Sequence, residues 1–261
     1  MLIERIKRVG RIYQTHGLKR AARTVLRKVG VGPDGKGPLT DAWTDYISWL
    51  SYANAGMLIH GNVDSIDYVM RHLPSGAPLV EIGSFCGLST NIITYLKRKH
   101  GATNRLVTAD KWIFEGSEAG GRLGDCEWVD HAQYKSFVRD TYMRNVRQFS
   151  APDLPYTIEL FSDEFFKAWG AGETRADVFG RETQLGGPIA FCFIDGNHSY
   201  EFARRDFENT DRYLEPGGFI LFDDSGDGTD WGVCKVVAEV AATGRYELIA
   251  TNPNYLFKKR V

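Results

Sequence analysis

From residue 78 onward the chain alternates short apolar runs with longer amphipathic ones. PLVEIG (78–83), RLVTAD (105–110), PYTIELF (155–161), PIAFCFID (188–195) and FILFDD (219–224) have the length and β-branched or aromatic content of buried strands. Between them LSTNIITYLKRKH (88–100), HAQYKSFVRDTYMRNVRQF (131–149), SDEFFKAW (162–169), SYEFARRDFENTDRYL (199–214) and GVCKVVAEVAATG (232–244) carry helical spacing. Pro216-Gly217-Gly218 closes the helix over 199–214. YELIATNPNYLFKKR (246–260) reads as two strands about an Asn-Pro-Asn turn. Strict strand–helix alternation predicts an α/β domain with a doubly wound, mostly parallel seven-stranded sheet and a C-terminal antiparallel strand.

Upstream the pattern changes. Residues 40–73 read as helices leading to the first strand, and GVGPDGKGP (30–38) is a Gly/Pro-rich linker. This divides the chain into a helical extension with its linker (1–38) and a main domain (39–261). Leu18, Ala21, Ala22, Val25, Leu26 and Val29 fall at helical spacing, and Leu2, Ile6, Val9 and Tyr13 do so more weakly. Residues 1–30 hold nine Arg and Lys side chains against Glu4 alone, a net of +8 in a chain whose total is −1. Two readings stay open: helices packed on the domain with a solvated basic face, or a peripheral anchor for anionic lipid or a polyanionic partner. Nucleic acid is a poor partner, because the basic residues sit at one end while the acids gather elsewhere.

Hydrophobic residues make up 43% and charged residues 25% of the chain, ordinary values for a globular protein. No stretch approaches the ~18 consecutive apolar residues of a membrane span, and the N-terminus lacks a secretory pattern. Cys86, Cys126, Cys192 and Cys234 form no C-x-x-C pair. The expectation is a reduced, cytoplasmic protein without a zinc knuckle or disulfide framework.

The candidate chemistry lies at the strand ends. Ligands of open α/β sheets bind beyond the carboxyl ends of the strands. There the sequence places Glu81 before the turn Gly83–Gly87, then Asp110 with Trp112, Ser162, Asp195 with His198, and Asp223 with Asp224. Phe85 stands where a dinucleotide fingerprint needs its second glycine, which excludes that motif. The remaining tight turn over a helix start suits a carboxylate or small zwitterion. Asp110, 23 residues after Gly87, is placed to accept ribose hydroxyls. Asp195 could instead cap the helix beginning near Ser199.

LVEIGSFCGLST, LVTADKW, FIDGNHSYEFARRDF and LEPGGFILFDD together resemble the class I S-adenosylmethionine-dependent methyltransferases. More narrowly they are similar to the metal-dependent O-methyltransferases of sugars and macrolide-attached sugars, over roughly residues 75–261. The resemblance implies a Rossmann-like fold and a set of roles. Glu81, Gly83, Phe85, Gly87 and Ser89 would surround the methionine part of S-adenosylmethionine. Asp110 would hold the ribose, Trp112 would border the adenine, and Ser162 would lie at the same cofactor edge. Asp195, Asp223 and Asp224 would bind Mg²⁺ or another divalent cation, with His198 as general base. Asn197 departs from a position where many relatives carry a second acid. Carboxylates without cysteine do suit a hard cation, and an imidazole suits proton transfer near neutrality.

The expected function is O-methylation of a sugar, glycolipid or glycosylated natural product by a homo-oligomer, WTDYISWLSYANAGML offering an apolar interface. The long loops 113–135 and 170–188 are expected to cover the site. Trp128, Tyr134 and Trp231 could stack on a sugar or merely pack. A non-catalytic module docking on a membrane or glycan-assembly partner is the alternative. An iron-dependent hydroxylase is disfavoured, because no H-x-D or H-x-E occurs.

Overall fold

The computed structural model describes residues 41–113, 121–226, 228 and 230–260. The N-terminal extension and linker, their proposed partners, Asp227 and part of the 113–135 loop lie outside the described residues.

Two helices, α1 (Asp45–Ala53) and α2 (His60–Arg71), precede the sheet. Thr44 caps the first by accepting from the Ile47 N–H. The strands are β1 (Leu79–Ile82), β2 (Leu106–Ala109), β3 (Tyr156–Ile158), β4 (Thr174–Ala176), β5 (Glu182–Gln184), β6 (Ile189–Ile194), β7 (Leu214–Phe222), β8 (Tyr246–Thr251) and β9 (Tyr255–Lys259). The interleaved helices are α3 (Leu88–Lys99), α4 (His131–Phe149), α5 (Ser162–Gly170), α6 (Tyr200–Tyr213) and α7 (Val233–Ala242).

Seven strands form one sheet in the order β3-β2-β1-β6-β7-β9-β8. The first five of that order run parallel, and β9 pairs antiparallel with both β7 and β8. The predicted Rossmann-like sheet with an antiparallel end is therefore present. Every residue of the central β6, IAFCFI, is buried, because helices cover both faces. Cys192 and Ile194 join one core with Phe165, Trp169, Phe207 and Val236. Phe191 and Phe193 join the other with Val63, Ile66, Ile92 and Leu96. Chain connections diverge from β1 and β6, so the crevice of the sheet opens between their carboxyl ends.

Two predictions need correction. The Pro216-Gly217-Gly218 segment does not separate helix from strand: β7 starts at Leu214, paired with Ile189, and runs through it. The register shift between Ile189 and Phe191 and the positive φ of Gly217 let the strand absorb the glycines. The 170–188 segment is not a loop over the ligand edge. It carries the antiparallel pair β4–β5, whose Thr183 accepts from Arg105 at the start of β2. The Val178 N–H adds to the edge strand β3 at the Thr157 carbonyl, so the hairpin protects that edge.

The N-terminus of α2 rests on the β8–β9 turn. A Cβ at Gly61 would lie 1.4 Å from the Asn252 carbonyl oxygen, a backbone atom that cannot yield. Gly61→Ala is expected to destabilise the protein by at least ~2 kcal/mol, read as a lower urea midpoint at unchanged slope.

Candidate active site at the β1–β6 crevice

The ends of β1 and β6 touch through backbone. Gly83, at φ +82°, leaves its Cα face against the Asp195 carbonyl oxygen, where a Cβ would approach to 2.0 Å. The Asp195 N–H donates to Ile82 O and the Asp223 N–H to Ile194 O, so three strand ends are staggered into one ledge. Three described non-glycine residues have positive φ, Phe85, Trp112 and Asp224, and all three sit on this ledge. Held strain of this kind collects at functional sites.

On one side of the ledge lies the glycine turn. Asp110 Oδ2 accepts from the Ser84 and Phe85 N–H groups at 2.8 and 2.9 Å, and Oδ1 accepts from the Trp112 N–H at 2.6 Å. Burial raises the Asp110 pKa, opposed by these N–H donors. The carboxylate expected to hold a ribose thus braces the turn, with lone-pair capacity left for an added donor. Trp112, which the resemblance sets beside adenine, packs against the turn. Its ring is 1% exposed, tilted on Tyr142 at 5.4 Å, and its Nε1 donates to Phe85 O at 2.9 Å. It ties the two loops together from within a core of Cys86, Val138, Tyr142 and Val146.

Glu81 is fully buried beneath the turn and accepts from Thr90 Oγ1 at 2.5 Å. Its Oε1 has no hydrogen-bond partner. Ser89, nearly buried on the first turn of α3, lies near the Glu81 carboxyl and opposes the rise of its pKa. Burial, with Asp110 nearby, pushes the Glu81 pKa up to about 7. Ser162 opens α5 near Asp206 of α6, whose own pKa burial raises to about 7 with Ser162 opposing.

On the other side lie the acids and the histidine. His198 Nδ1 is 3.1 Å from Asp224 Oδ2, and Nε2 is 3.4 Å from Asp195 Oδ1. Nε2 is buried without a hydrogen bond of good geometry. Ligand atoms of Asp195, His198 and Asp223 lie within 4.8 Å of one another. Sequence reasoning grouped Asp224 with the other two acids; the structure turns it to the imidazole instead. Burial first, then the charges of Asp223, Glu81 and Asp224, raises the Asp195 pKa well above the carboxylate range. Asp224 is raised by burial and Asp223, with His198 opposing. Asp195 does not cap α6: the Ser199 N–H is taken by Asn197 Oδ1 at 2.8 Å, which gives the departing Asn197 a local turn role.

Several residues here carried no sequence signal. Asn62 of α2 and Asn254 of the β8–β9 turn both donate to Asp223 Oδ1, the latter at 2.6 Å. Asn254 also donates to Asn62 Oδ1 at 3.0 Å, so the amides hold each other. Asn54 and Asn145 both donate to Cys86 O, at 2.9 and 3.0 Å, and fix the glycine turn from outside. Trp231 stands edge-on to His198 at 5.5 Å and is half exposed, Trp128 is exposed, and Tyr134 packs against the Trp112 cluster.

The buried acids predict a pH dependence. Glu81 binds its proton more tightly folded than unfolded, so the folded state holds the extra proton between the ordinary pKa of 4.5 and about 7. Stability therefore falls as pH rises through that window, with a ceiling of about 3 kcal/mol for this group. Asp206 acts with the same sign. Glu81→Gln, which keeps the Thr90 contact, is expected to lessen the loss between pH 5 and pH 8 in urea denaturation with chelator present.

A family described as "Methyltransferase domain" matches residues 80–225, from β1 to the acids after β7. Among solved structures, the chain is similar to an O-methyltransferase from Bacillus cereus in complex with SAH, at 15% identity and TM-score 0.50, over 92% of this chain and 97% of that one. It is also similar to the O-methyltransferase NovP, at 19% identity and TM-score 0.50, over 79% and 82% of the two chains. At these identities the likeness is one of fold. An alignment 77 positions long, covering 25% of this chain, is 38% identical to "Uncharacterized protein R132" of Acanthamoeba polyphaga mimivirus, and the match spans about a third (34%) of that curated relative. With more than half its length matched and its sheet in the expected order, the chain belongs to the methyltransferase-domain family and has the class I, Rossmann-like fold.

Proposed function

We propose that the protein is an S-adenosylmethionine-dependent O-methyltransferase that methylates a hydroxyl of a sugar, glycolipid or glycosylated natural product. The observation that carries this reading is His198. Its Nδ1 is engaged by Asp224, and its Nε2 faces Asp195 beside the glycine turn. A hydrogen bond at Nδ1 fixes ring and tautomer, which leaves Nε2 to take a proton. The two similar structures are both O-methyltransferases, which supports oxygen as the acceptor atom.

The residues fit both implied groups. Glu81, Gly83, Phe85, Gly87 and Ser89 form the turn for the amino-acid end of the cofactor, and Asp110 keeps acceptor capacity for a ribose hydroxyl. The cofactor supplies an electrophilic methyl on a sulfonium. Asp195 and Asp223, all-oxygen donors without sulfur, suit a hard cation such as Mg²⁺. Such a cation would lower the pKa of an acceptor hydroxyl and offset the repulsion between the acids. Asn62 and Asn254 occupy Asp223 Oδ1 and orient its other oxygen. His198 Nε2 takes the hydroxyl proton, and Asp224 balances the charge that results. His198 and the glycine turn share one ledge, which supports a reaction between positioned groups rather than groups that meet by diffusion.

Calorimetric titration with S-adenosylhomocysteine is expected to show micromolar-range binding to wild type. No binding by folded protein would refute the assignment. His198→Gln is expected to keep that binding while losing about 10²–10⁴-fold in turnover on a glycoside acceptor. Asn254→Ala is expected to weaken Mn²⁺ binding, followed by electron paramagnetic resonance, by about tenfold or more.

A further inference from the structure

A second pocket lies at the opposite end of the sheet from the crevice. Arg105 precedes β2 and Gly187 precedes β6, so the pocket sits at the amino ends of the parallel strands. It is open to solvent and holds about 420 Å³, the size of a small-molecule site. Trp169, Gln184, Leu185 and four glycines make the rest of its wall. Among the described residues Arg105 is the one charged side chain that lines it.

The guanidinium is pinned by one nitrogen. Arg105 Nη1 donates to Thr183 Oγ1 at 2.8 Å and to the Gln184 carbonyl at 2.9 Å, both on β5. The group also lies over the Tyr156 ring, 5.9 Å from its centre. Its other edge, Nε–H with Nη2–H, bonds nothing among the described residues, and neither nitrogen is sealed from solvent. That edge is the planar fork that grips an oxyanion with two parallel N–H···O bonds. Nor does Arg105 make an ion pair with a described residue: Glu173, just before β4, is taken by Arg175 at 2.8 Å. Burial lowers the Arg105 pKa, and only Tyr156 opposes the shift. A half-buried charge without a counter-ion is costly, so the pocket favours an anion.

The backbone adds to the preference. Gly186 and Gly187, at φ +118° and +86°, carry N–H groups that donate to no described residue. Trp169 Nε1 fixes this turn by donating to the Gly187 carbonyl at 2.9 Å. Unbonded N–H groups beside a fixed guanidinium favour negative charge. A phosphate has two oxygens for the fork and a third for such N–H groups, which a carboxylate lacks.

We propose that this pocket binds a phosphoryl group through the Nε–Nη2 edge of Arg105, at a site separate from the crevice. The four residues of β2 stand between Arg105 and Asp110, so the two sites occupy opposite ends of one strand. The inference is independent of methyl transfer.

The test follows phosphorus NMR line broadening of inorganic phosphate and of phenyl phosphate by the metal-free full chain, at constant ionic strength. Wild type is expected to broaden both resonances in a saturable way. Arg105→Lys keeps the charge and loses the fork, and is expected to bind about tenfold more weakly with an unchanged circular dichroism spectrum. Arg105→Gln is expected to abolish binding; should it fail to fold, the lysine variant decides. Tighter binding of phenyl phosphate would support the proposal and assign the remaining volume to the group that carries the phosphate. Equal binding of the two would support it with recognition confined to the phosphoryl group. Absence of saturable broadening by wild type would overturn the proposal, and so would undiminished binding by Arg105→Lys.

Discussion

The site is governed by like charge held close in a poor solvent. Glu81, Asp110, Asp195, Asp223 and Asp224 stand at the ends of four strands, and three of them have pKa values raised first by burial and then by one another. Left alone, such a group would take up protons or splay apart. The surrounding structure supplies donors. Backbone N–H groups reach Asp110, two asparagine amides reach Asp223, and an imidazole reaches Asp224. The two hydrophobic cores hold the strand ends so rigidly that the acids cannot separate. A sheet edge arranged in this way costs folding stability and retains affinity for positive charge.

The strained residues fit the same account. Phe85, Trp112 and Asp224 occupy a left-handed conformation that glycine would adopt without strain. Glycine would lose the ring of Trp112, whose Nε1 bond closes the loop of β1 onto that of β2. At 224 it would remove the carboxylate that engages His198. At 112 and 224 the side chain has a partner that glycine would lose, and at 85 backbone hydrogen bonds hold the unfavourable φ in place.

Much of this was legible in the sequence, for a physical reason. Buried parallel strands must be continuous apolar runs, so PIAFCFID announces both a strand and the acid that ends it. The order of the runs then places Glu81, Asp110, Asp195 and Asp223 on one edge without any knowledge of contacts. What escaped notice is set by distance along the chain. Asn62 meets Asp223 across 161 positions, and neither asparagine in that cluster differs in pattern from a surface amide. Asp224 was legible as an acid of the site but not as the partner of His198, because its direction depends on a positive φ that composition does not signal. The β4–β5 hairpin is hidden for another reason: ETRADVFGRETQ is polar and alternates weakly, as an edge covering exposed on one side does.

The geometry of His198 constrains its chemistry further than the identity of its neighbours does. With the Nδ1 hydrogen given to Asp224, the Nε2 lone pair points toward Asp195, itself an acceptor when ionised. Two acceptors 3.4 Å apart repel unless something positive lies between or beside them. Burial and the neighbouring acids raise the Asp195 pKa, which is the mark of that unmet repulsion. A cation between Asp195 and Asp223 would satisfy the carboxylates and return the imidazole lone pair to use. In the proposed mechanism, binding of a cation and readiness of the base would be coupled through one carboxylate, Asp195. That coupling makes the acid at the tip of the central strand the pivot of the site.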